Sequence, residues 1–165
     1  MKKLYLVRHA KSSWEDDSLS DSQRPLNKRG QKNVLEMGRR LAVADLKPGL
    51  IISSPAVRAL TTARQLASAI CYDQAAIVQN RQLYFEGKSA MLKLIQQTAP
   101  EVKSLMLVGH NPDMTSLLNS LCGFQVVNMP TCAIASIQFK QDWAEVSYER
   151  GFLFDYDFPK NTRHL

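Results

Sequence analysis

Four residues of this 165-residue chain stand out by type and placement: Arg8, His9, Arg58 and His110. Each follows a short apolar run. Leu4-Tyr5-Leu6-Val7 ends in Arg8-His9-Ala10. Leu50-Ile51-Ile52 ends in Ser53-Ser54-Pro55, just ahead of Arg58. Leu105-Met106-Leu107-Val108 ends in Gly109-His110-Asn111-Pro112. A phosphoryl group in transfer needs cations against its equatorial oxygens and a nucleophile in line with the leaving group. Two arginines form a planar, permanently charged clamp. A neutral imidazole nitrogen can attack phosphorus and form a covalent phosphohistidine, and a second, protonated imidazole can hold the transferring oxygens. Taken alone, Arg8-His9 reads as a strand end hydrogen-bonded to loop carbonyls. Recurrence argues against that. The chain has three histidines, two of them at such strand ends, with His164 in the tail.

The elements that must position these residues follow from pattern. Residues 3–8, 50–53 and 105–109 read as strands buried on both faces, because their apolar runs are continuous. Ala76-Ile77-Val78 is a weaker strand signal. Asn27 is placed to cap a helix over residues 28–45, with Val34, Met37, Gly38 and Leu41 as its inward stripe. Ser53 or Ser54 is expected to cap the next helix, with Pro55 in its first turn and Val57, Leu60, Ala63, Ala67 and Ile70 facing inward. That places Arg58 beside helix N-terminal amides, a combination suited to phosphate. Ser89 begins a short helix to about Gln97. Asn111-Pro112 begins the last helix, where Met114, Leu117, Leu118 and Leu121 recur at helical spacing.

Beyond Gly123 the period changes to two. Ala133, Ala135, Ile137 and Phe139 alternate with other residues, as do Ala144, Val146 and Tyr148. The expectation is an antiparallel hairpin turning at Lys140 to Asp142 on one sheet edge, with the aromatic stretch Phe152 to Pro159 packing back as a tail. Alternating strands and helices predict one domain, residues 1–165, with a mostly parallel sheet and helices on both faces. Ligands of such sheets bind beyond the carboxyl ends of the strands, where the four residues would meet.

Composition narrows the classes. No apolar run approaches a membrane span, and Leu4 to Val7 is too short for the core of a signal peptide, so a cytoplasmic location is the default. Cys71, Cys122 and Cys132 are odd in number and far apart, with neither metal-ligand spacing nor a disulfide framework. Two histidines without a matching carboxylate or thiolate set do not make a metal site, and no P-loop occurs, so no metal and no cofactor is expected. The formal net charge is +6. The basic residues form no long run and no aromatic-interleaved motif. That favours a local anion site over nucleic acid.

The ordered set Val7-Arg8-His9-Ala10, Ser53-Ser54-Pro55-Ala56-Val57-Arg58-Ala59 and Val108-Gly109-His110-Asn111-Pro112 resembles the histidine phosphatase superfamily, which includes phosphoglycerate mutases and acid phosphatases. Lys11-Ser12-Ser13-Trp14, Arg24-Pro25-Leu26-Asn27 and Pro130-Thr131-Cys132-Ala133-Ile134-Ala135 bring it nearer to the small SixA-type phosphohistidine phosphatases. The resemblance covers nearly the whole chain. It implies a phosphoglycerate mutase-like, three-layer α/β/α sandwich with an antiparallel edge hairpin. It implies His9 as the phosphorylated nucleophile, Arg8, Arg58 and His110 as the rest of the phosphate pocket, and Arg24 as a second-tier substrate-binding arginine.

Two departures matter. Ala10 stands where many members have glycine. The chain has no room for the inserted segment that carries an acidic proton donor in larger relatives. Glu86 is the nearest candidate by position, the alternative being a solvent-facing loop glutamate. The implied function is a metal-independent phosphatase working through a phosphohistidine intermediate. Its substrate would be phosphohistidine on a signalling protein, or a small phosphoramidate, and the chain would be a monomer without nucleic-acid or membrane partners. A small-molecule phosphomonoesterase and a non-catalytic anion-binding regulatory module stay open.

Overall fold

The computed structural model describes residues 1–123 and 125–164. Its ten principal elements are β1 (Lys2–Arg8), α1 (Lys28–Val43), β2 (Leu50–Ser53), α2 (Val57–Ala69), β3 (Val78–Gln79), α3 (Lys88–Gln96), β4 (Ser104–Gly109), α4 (Asp113–Cys122), β5 (Ile134–Phe139) and β6 (Phe152–Asp157). They build one six-stranded sheet in the order β3-β2-β4-β1-β5-β6. The first four strands of that order are mutually parallel, whereas β5 runs antiparallel to β1 and β6 antiparallel to β5.

The continuous apolar runs of β1, β2 and β4 have their physical reason in the layers. Successive strand side chains point to opposite faces. Tyr5, Val7, Ile51, Met106 and Val108 face α1 and α2, where they meet Val34, Met37, Leu41, Ala63 and Leu66. Leu4, Leu6, Ile52, Leu105 and Leu107 face α3 and α4, where they meet Met91, Ile95, Met114, Leu117, Leu118 and Leu121. The result is the expected α/β/α sandwich. Asn27 caps α1 as anticipated, accepting the Gly30 N–H at 2.8 Å. Gly38 lets α2 approach: a Cβ there would lie 2.8 Å from that of Ala69.

Four local readings are corrected. The hairpin exists, but its second strand is β6, the stretch expected to be a tail. Residues 143–145 form a short 3₁₀ turn instead. Trp143 drives that difference. Its ring is 1% exposed and its indole N–H donates to the Val102 carbonyl at 2.7 Å, which pins the segment into the core below the sheet. β3 begins two residues later than expected, because Asp73 caps a 3₁₀ turn over residues 74–76, accepting from Ala75 N–H at 3.0 Å. α3 is preceded by Gly87 at φ +91° rather than capped by Ser89. The inward face of α2 is Ala59, Thr62, Ala63, Leu66 and Ala67, with Val57 exposed and Leu60 only partly buried.

Candidate active site

Strand register brings the four residues together. Arg8 pairs with Gly109 and Ser53 with Val108, so β1, β2 and β4 end nearly level. His9 N–H continues the ladder to the Gly109 carbonyl at 3.0 Å, and Ser54 N–H to the Val108 carbonyl at 2.9 Å. The His9 and His110 rings consequently face each other with centroids 5.1 Å apart.

His9 is 7% exposed, and its Nδ1 lies 2.6 Å from the Ala10 carbonyl. A carbonyl only accepts, so Nδ1 carries the proton and Nε2 keeps its lone pair. Burial pushes the imidazole pKa down, the Ala10 hydrogen bond opposes this, and the charges of Arg58, Arg8 and Arg24 depress it further, to about 4. A neutral ring with Nε2 unprotonated is the nucleophilic form. Thr62 fixes the loop behind it, accepting the Ala10 N–H at 3.0 Å while donating to the Arg58 carbonyl at 2.8 Å.

His110 is 1% exposed, and its Nε2 lies 2.8 Å from Ser54 Oγ. The Ser54 oxygen also accepts the Ala56 N–H at 3.2 Å, so one hydroxyl ties the ring to the turn ahead of α2. Ser54 thus orients a histidine instead of capping α2, whose N-cap is Ala56 without a side-chain bond. Burial, the neighbouring His9 and the charge of Arg58 lower the His110 pKa to about 3, with Asp21 opposing and Arg8 assisting. The expected protonated second histidine is therefore neutral here at physiological pH. It takes up a proton only when an anion offsets the surrounding cations.

Arg58, 2% exposed, donates from Nη1 to the Asp21 carbonyl at 2.6 Å and from Nη2 to Asp21 Oδ2 at 2.9 Å. Arg8 donates from Nη1 to the Met129 carbonyl at 2.7 Å. Arg8 Nε, Arg58 Nε and His110 Nδ1 are buried and have no partner among the described residues. Buried polar groups are normally satisfied. Two open guanidinium N–H groups beside the paired imidazoles therefore suit an anion.

Asp21 is the residue the sequence did not single out. It sits in a 3₁₀ turn over residues 21–23 and accepts from Arg58, from the Tyr84 hydroxyl at 2.6 Å and from Arg24 Nη2 at 3.2 Å. Burial opposes its ionisation. The Tyr84 and Arg58 hydrogen bonds, the Arg58 charge and the Arg24 bond outweigh that and hold the carboxyl down to about 2. The one sequence signal was its spacing of three residues from Arg24. Arg24 itself lies one layer out. Its Nη1 reaches Ser12 Oγ at 2.7 Å, its Nε and Nη2 reach Asp21, and its guanidinium carbon sits 3.5 Å above the centre of the Trp14 ring. Glu86 is exposed and makes no hydrogen bond or ion pair with a described residue. Phe85, beside it, packs its ring 4.8 Å from that of His110, and Tyr84 lies 5.3 Å from the same ring.

An α/β sandwich that collects buried cations and a neutral imidazole at the carboxyl edge of its sheet has the form of an enzyme that handles phosphoryl groups. Known proteins narrow the class. The model for the histidine phosphatase superfamily (branch 1) matches residues 4–83. An uncharacterized protein of Mycobacterium tuberculosis is 30% identical over 169 residues, covering 93% of this chain and 100% of its own. An uncharacterized chloroplastic protein of Arabidopsis thaliana is 29% identical over 153 residues, covering 87% of this chain and 70% of its own. The solved structure of a chain from Agrobacterium tumefaciens assigned as the phosphohistidine phosphatase SixA superposes with a TM-score of 0.79 at 29% identity, covering 94% of this chain and 97% of that one. The protein histidine phosphatase SixA complexed with tungstate gives 0.81 at 22% identity, covering 95% and 97%, a likeness of fold. The chain belongs to the histidine phosphatase superfamily, and its fold is that of the superfamily's phosphatases.

Proposed function

We propose that the chain is a phosphatase that removes the phosphoryl group from phosphohistidine on a protein, through a phosphohistidine intermediate of its own at His9. The observation carrying this reading is the state of His9: neutral, with Nδ1–H held by Ala10 and Nε2 free near two unpartnered buried guanidinium donors, Arg8 Nε and Arg58 Nε. His9 Nε2 attacks phosphorus, the bond from phosphorus to the substrate nitrogen breaks, and the imidazole leaves neutral with a proton on its other nitrogen. Water then attacks the phosphoryl group on His9 and releases phosphate. Arg8, Arg58 and His110 hold the equatorial oxygens throughout, and their charge does what a metal would otherwise do.

The leaving group is read from the acids near the pocket. Asp21 is ionised and locked to Arg58, and Glu86 stands free in solvent. Neither is a poised proton donor. General acid help to an alkoxide is worth ~10²–10⁴-fold, so alkyl phosphates lose most from its lack, whereas imidazole needs none. The Tyr84 and Phe85 rings at His110 also suit a flat aromatic leaving group. The test is the order of kcat/KM over phosphohistidine or phosphoramidate, aryl phosphate and alkyl phosphate, which is expected to fall in that sequence. Alkyl phosphates turned over as fast as phosphoramidate, with activity collapsing in Glu86→Gln, would instead make the chain a general phosphomonoesterase.

A further inference from the structure

A second anion-seeking feature lies beside the phosphate pocket. A cleft of about 310 Å³ is lined by Lys11, Arg29, Asn33, Thr131, Phe158 and Lys160 together with two prolines. The topology puts it at the same edge of the sheet as His9. Lys11 follows the carboxyl end of β1. Arg29 lies in the first turn of α1, which starts at that edge. Thr131 precedes β5, which runs antiparallel to β1 and so begins there. Lys160 follows β6, which ends there. Thr131 is also flanked by both supports of the pocket: the Met129 carbonyl accepts from Arg8, and Cys132 N–H donates to the His9 carbonyl at 3.0 Å.

The charges in this cleft are unanswered. Lys11, Arg29 and Lys160 are exposed, and none of their side chains makes a hydrogen bond or ion pair with a described residue. No carboxylate lines the cleft. The nearest acid along β6, Asp157, is already held by Arg40 and Arg163 at 3.3 Å each. The first turn of α1 carries Lys28 and Arg29 and no acid, against the preference of a helix N-terminus for negative charge. Local unfavourable placement of like charges fits a surface that receives an anion.

We propose that this cleft is a docking subsite for acidic side chains flanking the phosphorylated residue of a protein substrate. The inference rests on the phosphoprotein reading above. The form of the cleft selects the ligand. Its cations come from three separate segments and are exposed, and they share the cleft with Phe158 and two prolines, whereas the phosphate pocket is built from buried guanidinium and imidazole groups. Exposed cations on separate segments beside apolar side chains suit the several carboxylates of a peptide better than one compact oxyanion. With the phosphoryl group on His9, the substrate chain would extend past Lys11 and Thr131 into the cleft.

The experiment compares kcat/KM for two phosphohistidine peptides that differ only in acidic or neutral flanks. The wild-type protein is expected to prefer the acidic one by about tenfold, three exposed ion pairs each being worth a factor of a few at most, and to lose that preference in high salt. In Lys11→Gln/Arg29→Gln/Lys160→Gln the ratio should fall to about one. In Lys93→Gln/Lys103→Gln/Lys140→Gln, which removes the same charge elsewhere, the ratio should persist. A ratio near one in the wild type, or an equal fall in both triple variants, would overturn the subsite. If neither phosphohistidine peptide is turned over, the phosphohistidine reading fails. The same two peptides carrying phosphotyrosine, together with anisotropy of the labelled unphosphorylated acidic peptide on both triple variants, then decide the cleft by the same criteria.

Discussion

Asp21→Asn tests whether the clamp is held in place from outside the pocket. Of the two bonds from Arg58 to Asp21, the one to the backbone carbonyl at 2.6 Å survives the substitution, and the one to Oδ2 at 2.9 Å loses its charge. A hydrogen bond to a charged group is worth about 1.5–3 kcal/mol and a neutral one about 0.5–1.5. The Asp21 side chain is 45% exposed, so solvent screening takes the difference towards its lower end, ~1 kcal/mol. If that loosening is felt in the transition state, kcat falls about fivefold. Arg58→Ala removes the electrostatic contact itself and should cost about 10²–10³-fold, as for other transition-state donors. Since Asp21 acts through Arg58, the double variant should be no slower than Arg58→Ala alone. Steady-state kinetics on phosphoramidate with all four proteins completes the cycle. Independent, multiplicative losses in the double variant would refute the positioning role and make Asp21 a participant in its own right.

Two further outcomes follow from the histidines. Brief exposure to labelled substrate should leave an acid-labile, base-stable phosphoryl group on His9 that is absent in His9→Ala, and label surviving in that variant would move the nucleophile elsewhere. His9 and His110 are depressed from about 6.5 to about 4 and about 3, so their contribution to stability is fully present above pH 6.5. It is lost as the pH falls through that value towards 3, because the unfolded chain takes up protons that the fold refuses. Denaturant titrations from pH 7 to pH 4 should show this decline and a shallower one in His110→Ala, while an identical decline in both would refute it.

The strands that carry the site were legible because their signals are local. A strand buried on both faces must be apolar throughout, so Leu4–Val7, Ile51–Ile52 and Leu105–Val108 declare themselves. The polar residues that end them are adjacent in sequence. Asn27 as a helix cap and the stripe of Met114, Leu117, Leu118 and Leu121 are equally local and were placed correctly. The edge of the sheet was not legible. β6 turns Phe152 and Phe154 outward and carries Asp155 and Asp157 within it, so its alternation does not point to the core. Meanwhile Ala144, Val146 and Tyr148 imitate a strand around the buried Trp143.

By itself, the sequence determined which residue types stand at the strand ends or in the helix turn that follows: two arginines for charge, and two histidines, one of them able to attack. Only the tertiary structure decided their condition. Asp21 lies 37 positions from Arg58 and 63 from Tyr84, and no periodicity reports such a pairing. The tautomer of His9 depends on one carbonyl, the orientation of His110 on Ser54 just beyond the end of another strand, and the neutrality of both rings on burial beside cations brought from distant segments. The cleft of Lys11, Arg29 and Lys160 likewise exists only because β1, α1 and β6 place those residues at one edge. A residue's chemistry is written in its side chain, but its protonation, partners and exposure are properties of the field and packing around it, which only chain closure creates.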